Sequence, residues 1–209
     1  MFFINKIGIY GGTFNPPHIG HLLLAQGALE DLKLDKIIFM PGGNPPHKQK
    51  GDVIDKMHRF EMTKLLTKDN PKFSVSDFEV KKSSPSYTAE TLGEFKKIYP
   101  ECEIIFIIGL DSLYDIEKWY RPDIIFKRAT VAVALREGYN LDAVDDVIKK
   151  YTEKYGAKII KTNMPLIGIS SSDIRCRINC GKTIRYMTTG AVEEYIEKNG
   201  LYKGEQNNF

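Results

Sequence analysis

At 209 residues, the chain is long enough to bury roughly 70% of the surface that its unfolded form exposes, so a core needs no disulfide or metal staple. Hydrophobic residues make up 42% and charged residues 27%, proportions that exclude a disordered or fibrous chain. A net charge of +3 and a pI of about 8.6 suit anionic small molecules. They lack the clustered basic excess of a nucleic-acid binder, so no nucleic-acid partner is expected.

The three cysteines, Cys102, Cys176 and Cys180, are an odd set. They read as reduced structural thiols in a cytoplasm rather than a disulfide framework, and Cys176 with Cys180 has too few neighbouring ligands for zinc. Met1–Tyr10 is interrupted by Lys6 and does not read as a signal peptide. The longest apolar run, Ile104–Leu110, is too short for a bilayer span. A cytoplasmic protein without a membrane partner is expected, and its oligomeric state is not readable.

In chain order, short β-branched runs alternate with amphipathic stretches. Lys6–Tyr10, Lys36–Met40, Glu103–Ile108, Thr130–Leu135 and Lys158–Lys161 are predicted strands, and Phe73–Asp77 is a weaker one. The first predicted helix carries Leu22, Ala25, Leu29 and Leu32 on one stripe. A second spans about Ile54–Thr67, and a third follows Ser86 with Ala89, Leu92 and Phe95 inward. Asp142–Tyr155 is the clearest, with Val144, Val147, Ile148, Tyr151 and Tyr155 inside. A last helix follows Thr189 and stops at Gly200. The alternation predicts an α/β fold: a Rossmann-like, doubly wound parallel sheet in a single domain over 1–209, with a small C-terminal helical portion over about 165–203. Two polar loops, Pro41–Asp52 and Lys81–Ser86, are the natural places for binding groups.

Chemistry concentrates where the first strand runs into Gly11-Gly12-Thr13-Phe14-Asn15-Pro16-Pro17-His18-Ile19-Gly20-His21. Two glycines let the backbone turn tightly and bring its amides near an anion. The helix that begins near His18 directs its free N–H groups and positive dipole end to the same place. His18 and His21, half of the chain's four histidines, project from one face of the first helical turn. The bland alternative is a strand–turn–helix junction with incidental histidines. The spacing matches neither the dinucleotide fingerprint nor a P-loop. A second polar cluster, Ile169-Ser170-Ser171-Ser172-Asp173-Ile174-Arg175, reads as a capped helix start whose arginine sits one turn further on.

Together these segments resemble the (H/T)xGH and ISSTxIR motifs of the nucleotidyltransferase superfamily, and specifically bacterial nicotinate-nucleotide adenylyltransferase. Ser172 stands where threonine is common. The resemblance covers the chain from Lys6 to about Tyr202. It implies that His18, His21 and Arg175 are catalytic, contacting the phosphates of ATP. It also implies an ATP site built from Gly11, Gly12, Thr13, Phe14, His18, His21, Lys48, Gly109, Asp111, Ser171, Ser172 and Arg175.

Three further segments resemble those of the nicotinate enzyme. They are Asn44-Pro45-Pro46-His47-Lys48, then Pro85-Ser86-Tyr87-Thr88-Ala89-Glu90-Thr91-Leu92 with Glu90 for the usual Asp, and Gly109–Tyr120 with the sole tryptophan. They imply a mononucleotide site of Asn44, His47, Lys48, Thr88, Tyr114 and Trp119, with Trp119 stacking on the pyridine. Leu110 stands where the family more often has a small residue, which leaves the local pocket volume open. The expected partners are ATP and nicotinate mononucleotide, giving deamido-NAD and pyrophosphate by in-line attack on the α-phosphorus. The expected cofactor is Mg²⁺ bridging the ATP phosphates without a dedicated protein cage. Alternative readings are a sister adenylyltransferase for nicotinamide mononucleotide or phosphopantetheine, and a non-catalytic nucleotide-binding protein of the same fold.

Overall fold

A computed structural model describes residues 4–43, 53–135, 141–162 and 168–204. Six strands form one parallel sheet: β1 (Lys6–Gly12), β2 (Lys36–Pro41), β3 (Phe73–Val75), β4 (Glu103–Gly109), β5 (Thr130–Ala134) and β6 (Ile159–Thr162). Their order is β3-β2-β1-β4-β5-β6, with Tyr10 opposite Phe39 on one side and Ile107 on the other. The order therefore reverses between β1 and β4, the place where such sheets leave a crevice at their C-terminal edge. The predicted strands hold to within two residues at each end.

Alternate side chains leave the sheet on opposite faces. Ile7, Ile9, Ile104, Phe106, Ile108, Val131 and Val133 join a core with Leu92, Phe95, Ile125 and Val144. Tyr10, Ile37, Phe39, Ile105, Ile107 and Ala132 join a second core on the other face with Leu24, Ala25, Ala28 and Leu29. Both faces are thus dry, which is why the strands read as continuous apolar runs. Gly8 sits on the second face, where a Cβ would lie 2.9 Å from the Leu34 side chain.

The helices are α1 (Ile19–Asp31), α2 (Lys56–Thr67), α3 (Thr88–Ile98), α4 (Leu110–Asp115), α5 (Pro122–Arg128), α6 (Leu141–Tyr155), α7 (Ser171–Asn179) and α8 (Gly190–Lys198). Helix α1 departs from the single predicted stripe. Leu24, Ala25, Ala28 and Leu29 pack on the sheet, whereas Leu22 packs on a third core made by α2, α7 and α8 around Met62, Leu66, Ile174 and Val192. A helix pressed from two sides is apolar on both, so its periodicity blurs. Asp55 caps α2, accepting from the Met57 amide at 2.8 Å. Helix α8 stops just before Gly200, at φ 60, where the sequence predicts its end.

Helix α4, a 3₁₀ turn (Ile116–Lys118) and α5 are too short to show a period and are not among the predicted helices. Cys102 is in the core while Cys176 and Cys180 are exposed, and all three are free. Among the described residues, no helix is long and apolar enough to cross a membrane.

Ile104 lies near the N-terminal end of β4 and is 2% exposed. Ile104→Ala should cost about 2–5 kcal/mol, the usual loss for a buried isoleucine truncated in a close-packed core. Denaturant unfolding of both proteins measures it, and a loss under 1 kcal/mol would contradict this packing.

Candidate active site

Gly11 and Gly12 are the last residues of β1, and the Gly42 amide donates to the Gly12 carbonyl at 2.9 Å. A Cβ on Gly12 would fall 2.8 Å from the Phe14 ring. That glycine lets Phe14 fold back in a left-handed conformation, φ 50. Phe14 is 2% exposed, edge-on to Tyr10 and 4.9 Å from the His21 ring. Its ring is an apolar floor beneath the histidine.

His18 is the N-cap of α1 and His21 its third residue. Their rings lie 3.7 Å apart, and the His18 amide donates to His21 Nδ1 at 3.1 Å. Burial pushes the His21 pKa well below the ordinary histidine value, and neighbouring His18 pushes it the same way. His21 is therefore neutral at physiological pH. Because Nδ1 accepts, its proton sits on Nε2, which leaves Nε2–H as a fixed donor.

The second motif reaches the same turn across the whole length of the chain. Ser170 caps α7, accepting from the Asp173 amide at 3.0 Å. Ser171 Oγ donates to the Pro16 carbonyl at 2.8 Å. Arg175 donates to the Asn15 carbonyl at 2.9 Å and to Ser172 Oγ at 3.3 Å. Thr188 Oγ1 donates to the Pro17 carbonyl, the Ile19 amide to the Met187 carbonyl and Tyr202 to Asn15 Oδ1. Two motifs about 150 residues apart are thus joined by hydrogen bonds, and Arg175 is held beside the glycine turn.

On the other side of that turn opens a cavity of about 600 Å³. Ile9, Met40, Leu92, Phe106 and Ile108 supply apolar wall, and Trp119, Tyr120 and Tyr87 supply aromatic wall. Gly11, Gly12, Thr13, Thr88, Ser112 and Glu79 supply polar groups. A mostly apolar hollow with a few placed polar groups fits a flat heterocycle. Trp119 closes the 3₁₀ turn and meets Phe106 edge-on, centroids 6.3 Å apart. Tyr87 and Tyr120 pair at 4.6 Å. Tyr87 is the N-cap of α3, and Thr88 opens the helix with its amide pointing out of the helix end. Burial raises the Glu79 pKa against the lowering effect of a 2.7 Å hydrogen bond from Thr91.

Most of the expected residues meet here, but not all. Gly109 and Asp111 sit at the β4–α4 junction and, although exposed, are not among the cavity's walls. Leu110 points into the core and takes no volume from the cavity. Tyr114 is 38% exposed and lies off the cavity, because one further helical turn carries its side chain outward. Asn44, His47 and Lys48 lie outside the described residues. Sequence reasoning passed over Tyr120, although it directly follows Trp119. It also passed over Arg59, whose signal is an arginine on the same helical face as Met62 and Leu66. Glu79 carries no signal in the bare sequence.

Comparisons with known proteins show the family and the fold. Residues 9–177 match the family described as cytidylyltransferase-like. A protein of Caldicellulosiruptor bescii named "Probable nicotinate-nucleotide adenylyltransferase" is 50% identical, the alignment covering 95% of this chain and 99% of that one. A protein of the same name from Lachnoclostridium phytofermentans is 44% identical over 95% of this chain and all of its own length. Among solved structures, the nicotinic acid mononucleotide adenylyltransferase of Plasmodium falciparum, complexed with NaAD, superposes with a TM-score of 0.79. At 21% identity, covering 95% of this chain and 97% of that one, it is a likeness of fold. With near-complete coverage at up to half identity, the chain belongs to the nicotinate-nucleotide adenylyltransferase family.

Proposed function

We propose that the protein joins nicotinate mononucleotide to ATP, giving deamido-NAD and pyrophosphate. The observation that carries this reading is that one glycine turn borders two different sites. On one side stand His18, His21 and Arg175; on the other is the aromatic-walled cavity. A triphosphate on the first and a pyridine nucleotide in the second would place their phosphates at Gly11–Thr13.

The mononucleotide phosphate oxygen forms a bond to the α-phosphorus. The bond from that phosphorus to the bridging oxygen breaks, and its electron pair leaves with pyrophosphate. No protein nucleophile is required, so the chain's contribution is position and stabilisation of developing negative charge. His21 Nε2–H, His18 and the Arg175 guanidinium supply the stabilisation. Ser171 and Ser172 with the α7 N-terminus, together with the amides of Gly11, Gly12 and Thr13, bind further phosphate oxygens. In the same reading Phe14 acts from beneath, holding His21. Gly109 and Asp111, at the head of α4, face the nucleoside of ATP, and Asn44, His47 and Lys48 bind phosphate and mononucleotide as the family resemblance implies.

Mg²⁺ enters as part of substrate, Mg–ATP. The donors at the turn are N–H groups and cations, which suit phosphate oxygens rather than a bare metal. Among the described residues, no group of three His, Cys, Asp or Glu side chains could hold a metal ion. A magnesium that keeps its waters and phosphate ligands fits that donor set.

Trp119 stacks on the pyridine, and amides at the cavity wall receive its carboxylate. Thr88 at the head of α3 is one donor. The Tyr120 amide, on the cavity where Tyr114 is not, is the second. An amide substrate would turn its NH₂ group toward those donors. At roughly 1–3 kcal/mol for each unpaired buried group, nicotinate mononucleotide should be preferred over the nicotinamide form by at least about a hundredfold in kcat/KM.

Pyrophosphate release with Mg–ATP and each mononucleotide tests the reading. A ratio near one would exclude carboxylate recognition, and release only with phosphopantetheine would replace the substrate altogether. His18→Ala and His21→Ala should each lower kcat by about two to three powers of ten, the usual loss for one preorganised donor. Near-normal turnover of either folded variant would remove the histidines from the mechanism. Trp119→Ala should raise the mononucleotide KM about fivefold or more, since stacking is worth about 1 kcal/mol beyond burial, and should raise it much more than the KM of ATP. Equal changes in both KM values would mark the tryptophan as structural.

A further inference from the structure

Arg59 is 1% exposed, the largest of the fully buried side chains. It rises from α2 and spends its guanidinium on carbonyl oxygens. Nε donates to Ile54 at 3.2 Å, Nη1 to Thr13 at 2.8 Å and Nη2 to Gly43 at 2.8 Å. Thr13 belongs to the turn after β1, and Gly43 to the start of the loop after β2. A buried cation is expensive to desolvate, and three carbonyls offset the expense only while each stays in place.

Gly43 is gripped from the other side as well. Its amide lies against the Glu79 carboxylate, and a Cβ there would meet the Glu79 carbonyl at 2.2 Å. Glu79 accepts in turn from Thr91 Oγ1 on α3 at 2.7 Å. A chain of polar contacts therefore runs Thr13–Arg59–Gly43–Glu79–Thr91, from the glycine turn around the cavity edge to the helix that begins at Thr88. Anchoring α2 alone would need no contact with two separate loops.

We propose that Arg59, assisted by Glu79, is a positioning residue that fixes the turn after β1 against the loop after β2, and so aligns the two phosphates that must react. This rests on the adenylyl-transfer reading above. Arg59 is sealed from the cavity and touches no substrate. Lysine keeps the charge but lacks the planar fork, so it cannot hold Thr13 and Gly43 in the same geometry. The two carbonyls belong to different segments, so it is the placement of Thr13 relative to Gly43 that is lost. The effect should appear in kcat more than in binding.

The experiment measures kcat and both KM values for wild type, Arg59→Lys and Glu79→Gln with Mg–ATP and nicotinate mononucleotide, at a temperature where circular dichroism shows each folded. Ile104→Ala, destabilised at the opposite end of the sheet, is the comparator for stability loss alone. Arg59→Lys should lose about a hundredfold in kcat, the scale of a misplacement near 1 Å, with neither KM rising more than about threefold. Glu79→Gln should lose kcat in the same manner, and Ile104→Ala should keep it. Wild-type kcat in folded Arg59→Lys, or an equal loss in Ile104→Ala, would overturn the positioning role while leaving the reaction intact. If Arg59→Lys does not fold, Glu79→Gln decides alone: retained kcat overturns the role. Absence of pyrophosphate release from wild type would overturn the reaction and the role together.

Discussion

Five residues, Asn15 to Ile19, are held from above by a segment that begins more than 150 positions later. Arg175, Ser171 and Thr188 donate to the carbonyls of Asn15, Pro16 and Pro17, and the Ile19 amide donates to Met187. Two of those five are prolines, which have no N–H to offer, so the segment is short of donors of its own, and hydroxyls from the later segment satisfy the Pro16 and Pro17 carbonyls. The docking of α7 supplies donors, and the same docking fixes Arg175 on the Asn15 carbonyl, in the turn that leads to the paired histidines. In the proposed mechanism the donors to phosphate come from both halves, so that one closure completes the set.

The electrostatics follow from the packing. Phe14 and Tyr10 strip water from His21, which disfavours its charged form, and the adjoining His18 adds to the effect. Arg175 adds a guanidinium from the side of α7. The described part of the site thus joins a cation to a neutral, oriented donor. Such an arrangement favours an oxyanion without requiring two imidazolium rings at 3.7 Å.

What could be read beforehand was what is local. The β1–α1 junction carries its turn, its glycines and its histidines within eleven consecutive residues, and strand alternation exposes the sheet directly. The helices α4 and α5 were hidden because six or seven residues cannot display a period. The two-sided burial of α1 was hidden because the third core is assembled from segments distant in sequence. Glu79 is hidden in the sequence, and Arg59 nearly so, for a further reason. A charged residue is read as solvated until the structure shows what surrounds it, and their partners are mainly backbone atoms, which any sequence supplies. The convergence of the two motifs was available only through family resemblance. Tyr114, which the resemblance implies, lies off the cavity, and Tyr120 stands in its wall.

The closure by Thr188 and Tyr202 also sets an order of events during synthesis. Six strands and their flanking helices can gather from the first 162 residues, but the phosphate site is unfinished until the last fifth of the chain has emerged and docked. The third core also takes in Leu22 of α1 and Met62 and Leu66 of α2, so the C-terminal helices finish a layer that earlier segments begin. Competence for phosphate chemistry is therefore the last property the chain acquires.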